Sequence, residues 1–161
     1  DSSNKKSLHS LRIILMNKTI VLATDHAGFE LKEHVKTFLI EKGYDVKDFG
    51  AFEYDGLDDY PDFILPAAKY ISKHKLIGII FGGSGQGEAI AANRIKGIRA
   101  AVYYNGPIEI IELSRLHNNA NILSIGARFV NNQEVEKVID LWLSTDFEEG
   151  RHEKRVNKLD S

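Results

Sequence analysis

From Met16 onward, short β-branched and apolar runs alternate with segments whose apolar residues fall at helical spacing, and that alternation leaves few folds open. Thr19 to Ala23 predicts a first strand. Phe29 to Lys42 follows with apolar Leu31, Val35, Phe38 and Leu39 on one helical face and Gly43 as a C-terminal stop. Tyr44 to Phe49 predicts a second strand, and Asp59 to His74 a helix that Pro61 suits at its start and Pro66 bends or delays. Strand Leu76 to Phe81, helix Gly85 to Ile95, strand Ile98 to Tyr104 and helix Pro107 to His117 come next, then strand Asn121 to Ile125 and helix Val135 to Leu143, with a basic tail beyond. Strands that are apolar almost throughout, each separated by a helix, imply a parallel sheet covered on both faces. Ligands of such sheets bind beyond the carboxyl ends of the strands. Those ends are Asp25-His26, the loop Gly82 to Glu88, Asn105-Gly106 and Gly126-Ala127-Arg128.

The loop is the richest of these ends. Gly82-Gly83-Ser84-Gly85-Gln86-Gly87-Glu88 joins a buried strand to a helix N-terminus, where free N–H groups and the helix dipole favour an anion. Two nucleotide readings fail by residue count. A Walker A loop needs Lys directly after Gly87, and a dinucleotide fingerprint counted from Gly83 and Gly85 needs Gly there; the chain has Glu88. A carboxylate beside an anion hole repels bound phosphate, yet it suits a general base that creates an oxyanion. Ser84, flanked by glycines without a nucleophile-elbow context, fits a contact to an oxyanion or hydroxyl better than a nucleophile.

Composition narrows the field further. With 161 residues, 43% hydrophobic and 27% charged, the chain has the make-up of one soluble globular domain. A net charge of -2 gives no electrostatic reason to expect nucleic acid or an anionic membrane as partner. No apolar run approaches the roughly 20 residues that span a bilayer. The absence of cysteine removes disulfides, thiolate metal sites and a cysteine base, and fits a cytoplasmic location. Residues 1–15 read as an upstream extension or expression remnant ahead of a start at Met16, with residues 16–161 as the single domain.

The remaining polar residues each carry a structural and a functional reading. Asp25 is either an N-cap before a helix or, with His26, part of a site. His117, followed by Asn118, ends a helix, where the dipole favours a histidine in any protein. No His-x-x-x-His or similar spacing supports a metal site, and none is expected. Arg151 and Arg155 share a helical face by their spacing; they are a solvated tail or, with Arg128, a clamp for a phosphate dianion. Tyr60 fits packing and substrate contact equally.

Taken in order, Asp25 to Lys32, Asp59-Tyr60-Pro61, Gly82 to Asn93, Gly97 to Ala100, Arg115 to Asn118, Gly126 to Arg128 and Gly150 to His152 resemble type B ribose-5-phosphate isomerases, over essentially all of Asn17 to Asp160. The resemblance implies a Rossmann-like three-layer α/β/α fold with a five-stranded parallel sheet. It also implies a homodimer or dimer of dimers with shared active sites, and cofactor-free interconversion of ribose 5-phosphate and ribulose 5-phosphate in the pentose phosphate pathway. Hexose-6-phosphate isomerases share the architecture, and a non-catalytic phosphometabolite-binding module is the alternative of a different class. By position, Asp25 and His117 assist ring opening, and Gly83, Gly85 and Gly87 with Ser84 hold the enediolate oxygen. His26, Arg128, Arg151 and Arg155 surround the phosphate, while Asn118 and Tyr60 touch the sugar. His117, Asn118 and Arg128 are expected from the partner subunit. Many members carry a cysteine base where this chain has Gly82; here the resemblance is to the subgroup whose base is the loop glutamate, Glu88. An ordinary glutamate, with a pKa near about 4.3, is a weak base, so the oxyanion hole must carry much of the catalysis.

Overall fold

The structure is a computed structural model that describes residues 18–161, so the extension expected at residues 1–15 lies outside the described residues. Strands β1 (Thr19–Thr24), β2 (Asp45–Asp48), β3 (Ile77–Gly82), β4 (Ala100–Tyr103) and β5 (Ile122–Gly126) form one parallel sheet in the order β2-β1-β3-β5-β4. The helices are α1 (Phe29–Glu41), α2 (Pro61–His74), α3 (Gln86–Ala92), α4 (Glu109–Leu116), α5 (Asn132–Ser144) and α6 (Arg151–Asn157). Short 3₁₀ turns, His26–Gly28 and Ala127–Phe129, follow β1 and β5.

Alternation along each strand divides the core in two. Ile20, Leu22, Ile79, Phe81, Leu123 and Ile125 face α1, α4 and α5, where Val35, Leu39, Ile111, Val138 and Trp142 complete the packing. Val21, Ala23, Ile80 and Ile122 face the other way, onto Ile64, Ala67, Ala68 and Ile71 of α2 and Ala92 of α3. The central strands β1, β3 and β5 are therefore buried on both sides, which is why their sequences show no polar alternation, whereas the edge strand β2 alternates exposed and half-buried residues. The expected three-layer α/β/α architecture is the one observed.

The boundaries differ where local chemistry intervenes. Helix α3 stops at Ala92 rather than Ile95, because the Asn93 side chain pairs with both backbone groups of Ala100 (2.8 and 3.1 Å) and turns the chain into β4. Pro66 sits inside α2 without ending it. The carbonyl that loses its donor there belongs to Asp62, in the exposed first turn, where solvent can reach it. The basic tail contains a helix, α6, tied back by a hydrogen bond from Glu148 N–H to the Leu116 carbonyl (3.0 Å).

Candidate active site

Two adjacent strands at the sheet centre, β1 and β3, end level with each other and deliver Asp25 and the glycine loop to the same edge. The loop is held in place by β5. Ser124 Oγ donates to the Gly85 carbonyl (2.7 Å), and Arg128 N–H donates to the Gly83 carbonyl (3.1 Å). Gly85 takes a left-handed conformation (φ 79°) at the N-cap of α3, which a side chain would strain. The N–H groups of Ser84 and Gly85 make no hydrogen bond among the described residues, and that of Gly87 lies in the first helical turn, so all three are available to an anion. Ser84 Oγ accepts from Gln86 N–H (3.3 Å), which leaves its own O–H free to donate.

Glu88 is buried, with 4% of its surface exposed, and its carboxyl group occupies the space beside Gly82. A Cβ at Gly82 would lie 1.9 Å from Glu88 Oε1, so a side chain at residue 82 and this carboxylate position exclude each other. Burial raises the Glu88 pKa above the ordinary value; a hydrogen bond from its own N–H opposes the shift, and the nearby charge of Asp25 adds to it. The glutamate is thus a stronger base than its sequence alone suggests.

Other predicted residues gather around it. The carboxylate of Asp25 caps the first 3₁₀ turn by accepting from Ala27 N–H (3.0 Å), so the N-cap reading of this residue holds alongside any role in a site. Tyr60 lies against the loop: a Cβ on Gly87 would be 2.8 Å from its ring. Arg128 stacks its guanidinium over Gly83, where a Cβ would be 3.0 Å from Cζ. Arg128, expected across a subunit boundary, therefore belongs to its own chain's loop, because β5 neighbours β3 and ends beside it. His26 and Arg128 line a cavity of about 290 Å³ with Ala27, Glu30 and Tyr54. Larger hollows, of about 380 and 480 Å³, lie at the opposite edge against Arg99, the second lined also by Asn118, and lack the glycine loop and its carboxylate.

One contact here has no sequence signal. Asp58 Oδ1 accepts from both the His26 backbone N–H (3.0 Å) and the His26 ring Nδ1 (2.7 Å). That hydrogen bond leads the forces that raise the His26 pKa; partial burial and Arg128 oppose it, and Asp25 and Asp58 reinforce it by charge.

The remaining predicted residues fall elsewhere. α4 runs antiparallel to the strands, so His117 at its C-cap and Asn118 beyond lie at the amino edge of the sheet. By a strand rise of about 3.3 Å per residue, that edge is roughly 15 Å or more from Glu88. The His117 ring stacks on His152 (centroids 4.1 Å apart, 15° between planes), and Glu148 Oε2 lies 3.7 and 4.0 Å from the two Nε2 atoms. Burial leads the lowering of the His152 pKa, reinforced by His117, Arg151 and Arg155 and opposed by Glu148. Arg151 and Arg155 are exposed on α6 beside this stack and have no carboxylate partner among the described residues. Within one chain the predicted residues thus form two groups at opposite edges of the sheet, Asp25, His26, Tyr60, the glycine loop, Glu88 and Arg128 at one and His117, Asn118, Arg151 and Arg155 at the other.

Two groups of three metal-capable side chains come together, Asp25-His26-Asp58 and His117-Glu148-His152, although no spacing in the sequence announces them. In the first, His26 Nδ1 is committed to Asp58. In the second, the two rings are stacked nearly parallel, with Glu148 beside them.

Comparison with known proteins extends these observations. The profile of the Ribose/Galactose Isomerase family matches residues 20–159. A ribose-5-phosphate isomerase B of Mycolicibacterium paratuberculosis is 39% identical, over 87% of this chain and 88% of that protein. The crystal structure of ribose-5-phosphate isomerase B from Mycoplasma genitalium with bound ribulose 5-phosphate superposes with a TM-score of 0.85 at 38% identity, covering 89% of this chain and 95% of that one. The isomerase of the same name from Thermotoga maritima gives a TM-score of 0.84 at 41% identity, covering 89% and 98%.

Proposed function

This chain belongs to the ribose/galactose isomerase family, and from that premise we propose that it interconverts ribose 5-phosphate and ribulose 5-phosphate through a cis-enediolate, without a cofactor. The observation that carries the proposal is the Glu88 carboxylate, buried at the mouth of the glycine loop in the space that Gly82 leaves open. Glu88 removes the C2 proton of the open-chain aldose and delivers a proton, exchangeable with solvent, to C1, while the proton of the C2 hydroxyl passes to O1. The N–H groups of Ser84, Gly85 and Gly87 and the Ser84 hydroxyl receive the charge that develops on oxygen. A base with a raised pKa narrows the gap to the carbon acid, so burial of Glu88 works together with the oxyanion hole.

His26 and Arg128 hold one side of the phosphate. Arg151 and Arg155 hold the other, and His117 opens the furanose ring with Asp25, while Asn118 and Tyr60 contact the sugar. Since the two half-sites stand at opposite edges of one sheet, the second is supplied by another subunit of a homodimer. The exposed apolar residues Ile90, Tyr104, Ile110, Leu113 and Phe129 are the kind of surface such a contact covers.

Incubation with ribose 5-phosphate in deuterated buffer tests the reaction. An isomerase forms ribulose 5-phosphate and incorporates deuterium at C1, whereas a binding module does neither. Parallel kcat/KM values for ribose 5-phosphate and allose 6-phosphate test the substrate, and a preference for the hexose overturns the pentose assignment.

A further inference from the structure

We propose that Asp58 is the positioning residue that fixes His26 with its Nε2 edge turned to the substrate phosphate; the assignment rests on the isomerase reading above. Asp58 is distant from His26 in sequence and reaches it from the loop that precedes α2. One oxygen, Oδ1, receives both the His26 backbone N–H at 3.0 Å and ring Nδ1 at 2.7 Å, so it sets the chain direction and the ring rotation together. With Nδ1–H spent on Asp58, Nε2 is the atom left for a ligand, a second-sphere arrangement that also determines the tautomer. The ring borders the cavity that Arg128 lines from the other 3₁₀ turn. Asp58 Oδ2 is buried with no hydrogen-bond partner among the described residues, a cost that a carboxylate placed only to cap a turn would avoid by facing water.

The consequence is electrostatic. The groups facing His26 are Asp58 and Asp25, which favour its charged form, Arg128, which disfavours it, and Glu30 and Tyr54 along the cavity wall. The Asp58 hydrogen bond leads the shift upward. His26 therefore stays cationic to a higher pH than a free histidine, and Nε2–H donates to the phosphate as a charged group.

Steady-state kinetics of the full chain on ribose 5-phosphate from pH 5.5 to 8.5 test this with Asp58→Ala and Asp58→Asn. The alanine variant loses both ring orientation and charge, and its KM should rise about tenfold with kcat within about twofold of the parent. Asparagine retains an acceptor for both N–H groups but no charge. Its KM should match the parent near pH 6 and climb to about five times the parent value by pH 8, as His26 reverts toward the ordinary pKa of about 6.5. Parent-like KM in the alanine variant, or a ratio of asparagine-variant to parent KM that is equal at pH 6 and pH 8, overturns the assignment. Nitrogen-15 NMR of the His26 ring answers the same question without substrate. In the parent the proton stays on Nδ1 and the midpoint is raised; in Asp58→Asn the midpoint falls, and an unmoved midpoint overturns the proposal even if alanine prevents folding. A parent enzyme that leaves ribose 5-phosphate unchanged refutes the isomerase reading instead, and the NMR result then still decides the role of Asp58 toward His26.

Discussion

Gly82→Ala is the smallest change that separates a placed base from a present one. Gly82 ends β3 in an ordinary backbone conformation, its φ lying outside the left-handed region, so alanine imposes no backbone strain. The added methyl carbon would instead meet Glu88 Oε1 at 1.9 Å and Cδ at 2.0 Å. To restore van der Waals contact, the carboxylate must retreat by about 1.5 Å, and a misplacement of about 1 Å at a reacting group costs on the order of a hundredfold. We expect kcat to fall about 10²- to 10³-fold, or about 3–4 kcal/mol of transition-state stabilisation. KM should stay within about threefold, because the phosphate is held elsewhere. Direct detection of the ketose product gives kcat, and circular dichroism with thermal melting verifies that the fold survives. The double variant Gly82→Ala, Glu88→Gln is the internal control: it should be no slower than Glu88→Gln alone, since both changes act on one group. A Gly82→Ala enzyme within twofold of the parent, or a double variant whose losses multiply, refutes the steric reasoning.

Other outcomes follow from the same geometry. Glu88→Gln should lower kcat by about 10³-fold or more while ribose 5-phosphate still protects the protein in a thermal-shift assay. Because the folded-state pKa of Glu88 lies above its unfolded value, the folded protein holds that proton more tightly. The associated stabilisation is present below the unfolded pKa and fades as pH rises through the folded one. Glu88→Gln should thus raise Tm more at pH 7 than at pH 4, and a larger gain at pH 4 contradicts the burial account. Mixing inactive Glu88→Gln chains with inactive His117→Ala chains under exchange should restore about a quarter of the parent activity, since half the dimers are mixed and each has one intact site; no recovery in mass-verified heterodimers rules out a shared site. Lys32 is fully buried and donates to Asp48 (2.8 and 2.9 Å) and the Ala51 carbonyl (2.6 Å). Lys32→Ala should therefore destabilise the protein in urea unfolding, by less than the ~3–5 kcal/mol of a wholly unpaired buried charge because Lys36 still reaches Asp48 at 3.2 Å. For Asp48, burial is the largest single influence and opposes ionisation, but the hydrogen bonds from Lys32, Gly50 N–H and Lys36 and the charge of Lys32 together outweigh it and lower the pKa, so their contribution is lost as pH falls through the acid range.

The sequence by itself determined the layers, the parallel sheet and the residues that the loop brings to its edge. Each of those rests on local order: the period of Leu31, Val35 and Leu39, the unbroken apolar run before Gly82, the acid at Glu88 where a phosphate site would carry lysine. A pattern of this kind is readable because burial on both faces of a strand, or on one face of a helix, is imposed on neighbouring residues together. The tertiary structure alone decided which distant side chains meet. Asp58 reaches His26 across 32 residues. His152 stacks on His117, and Arg128 lies over its own chain's Gly83 rather than a partner's. The division into two half-sites is equally a product of topology, since α4 carries His117 back to the edge that the strands leave. No local periodicity encodes such meetings; they depend on strand order and on where each helix deposits its end. The two sources join at Gly82: sequence reading marks Glu88 as the acid of interest, and packing explains why residue 82 must lack a side chain for that acid to stand there.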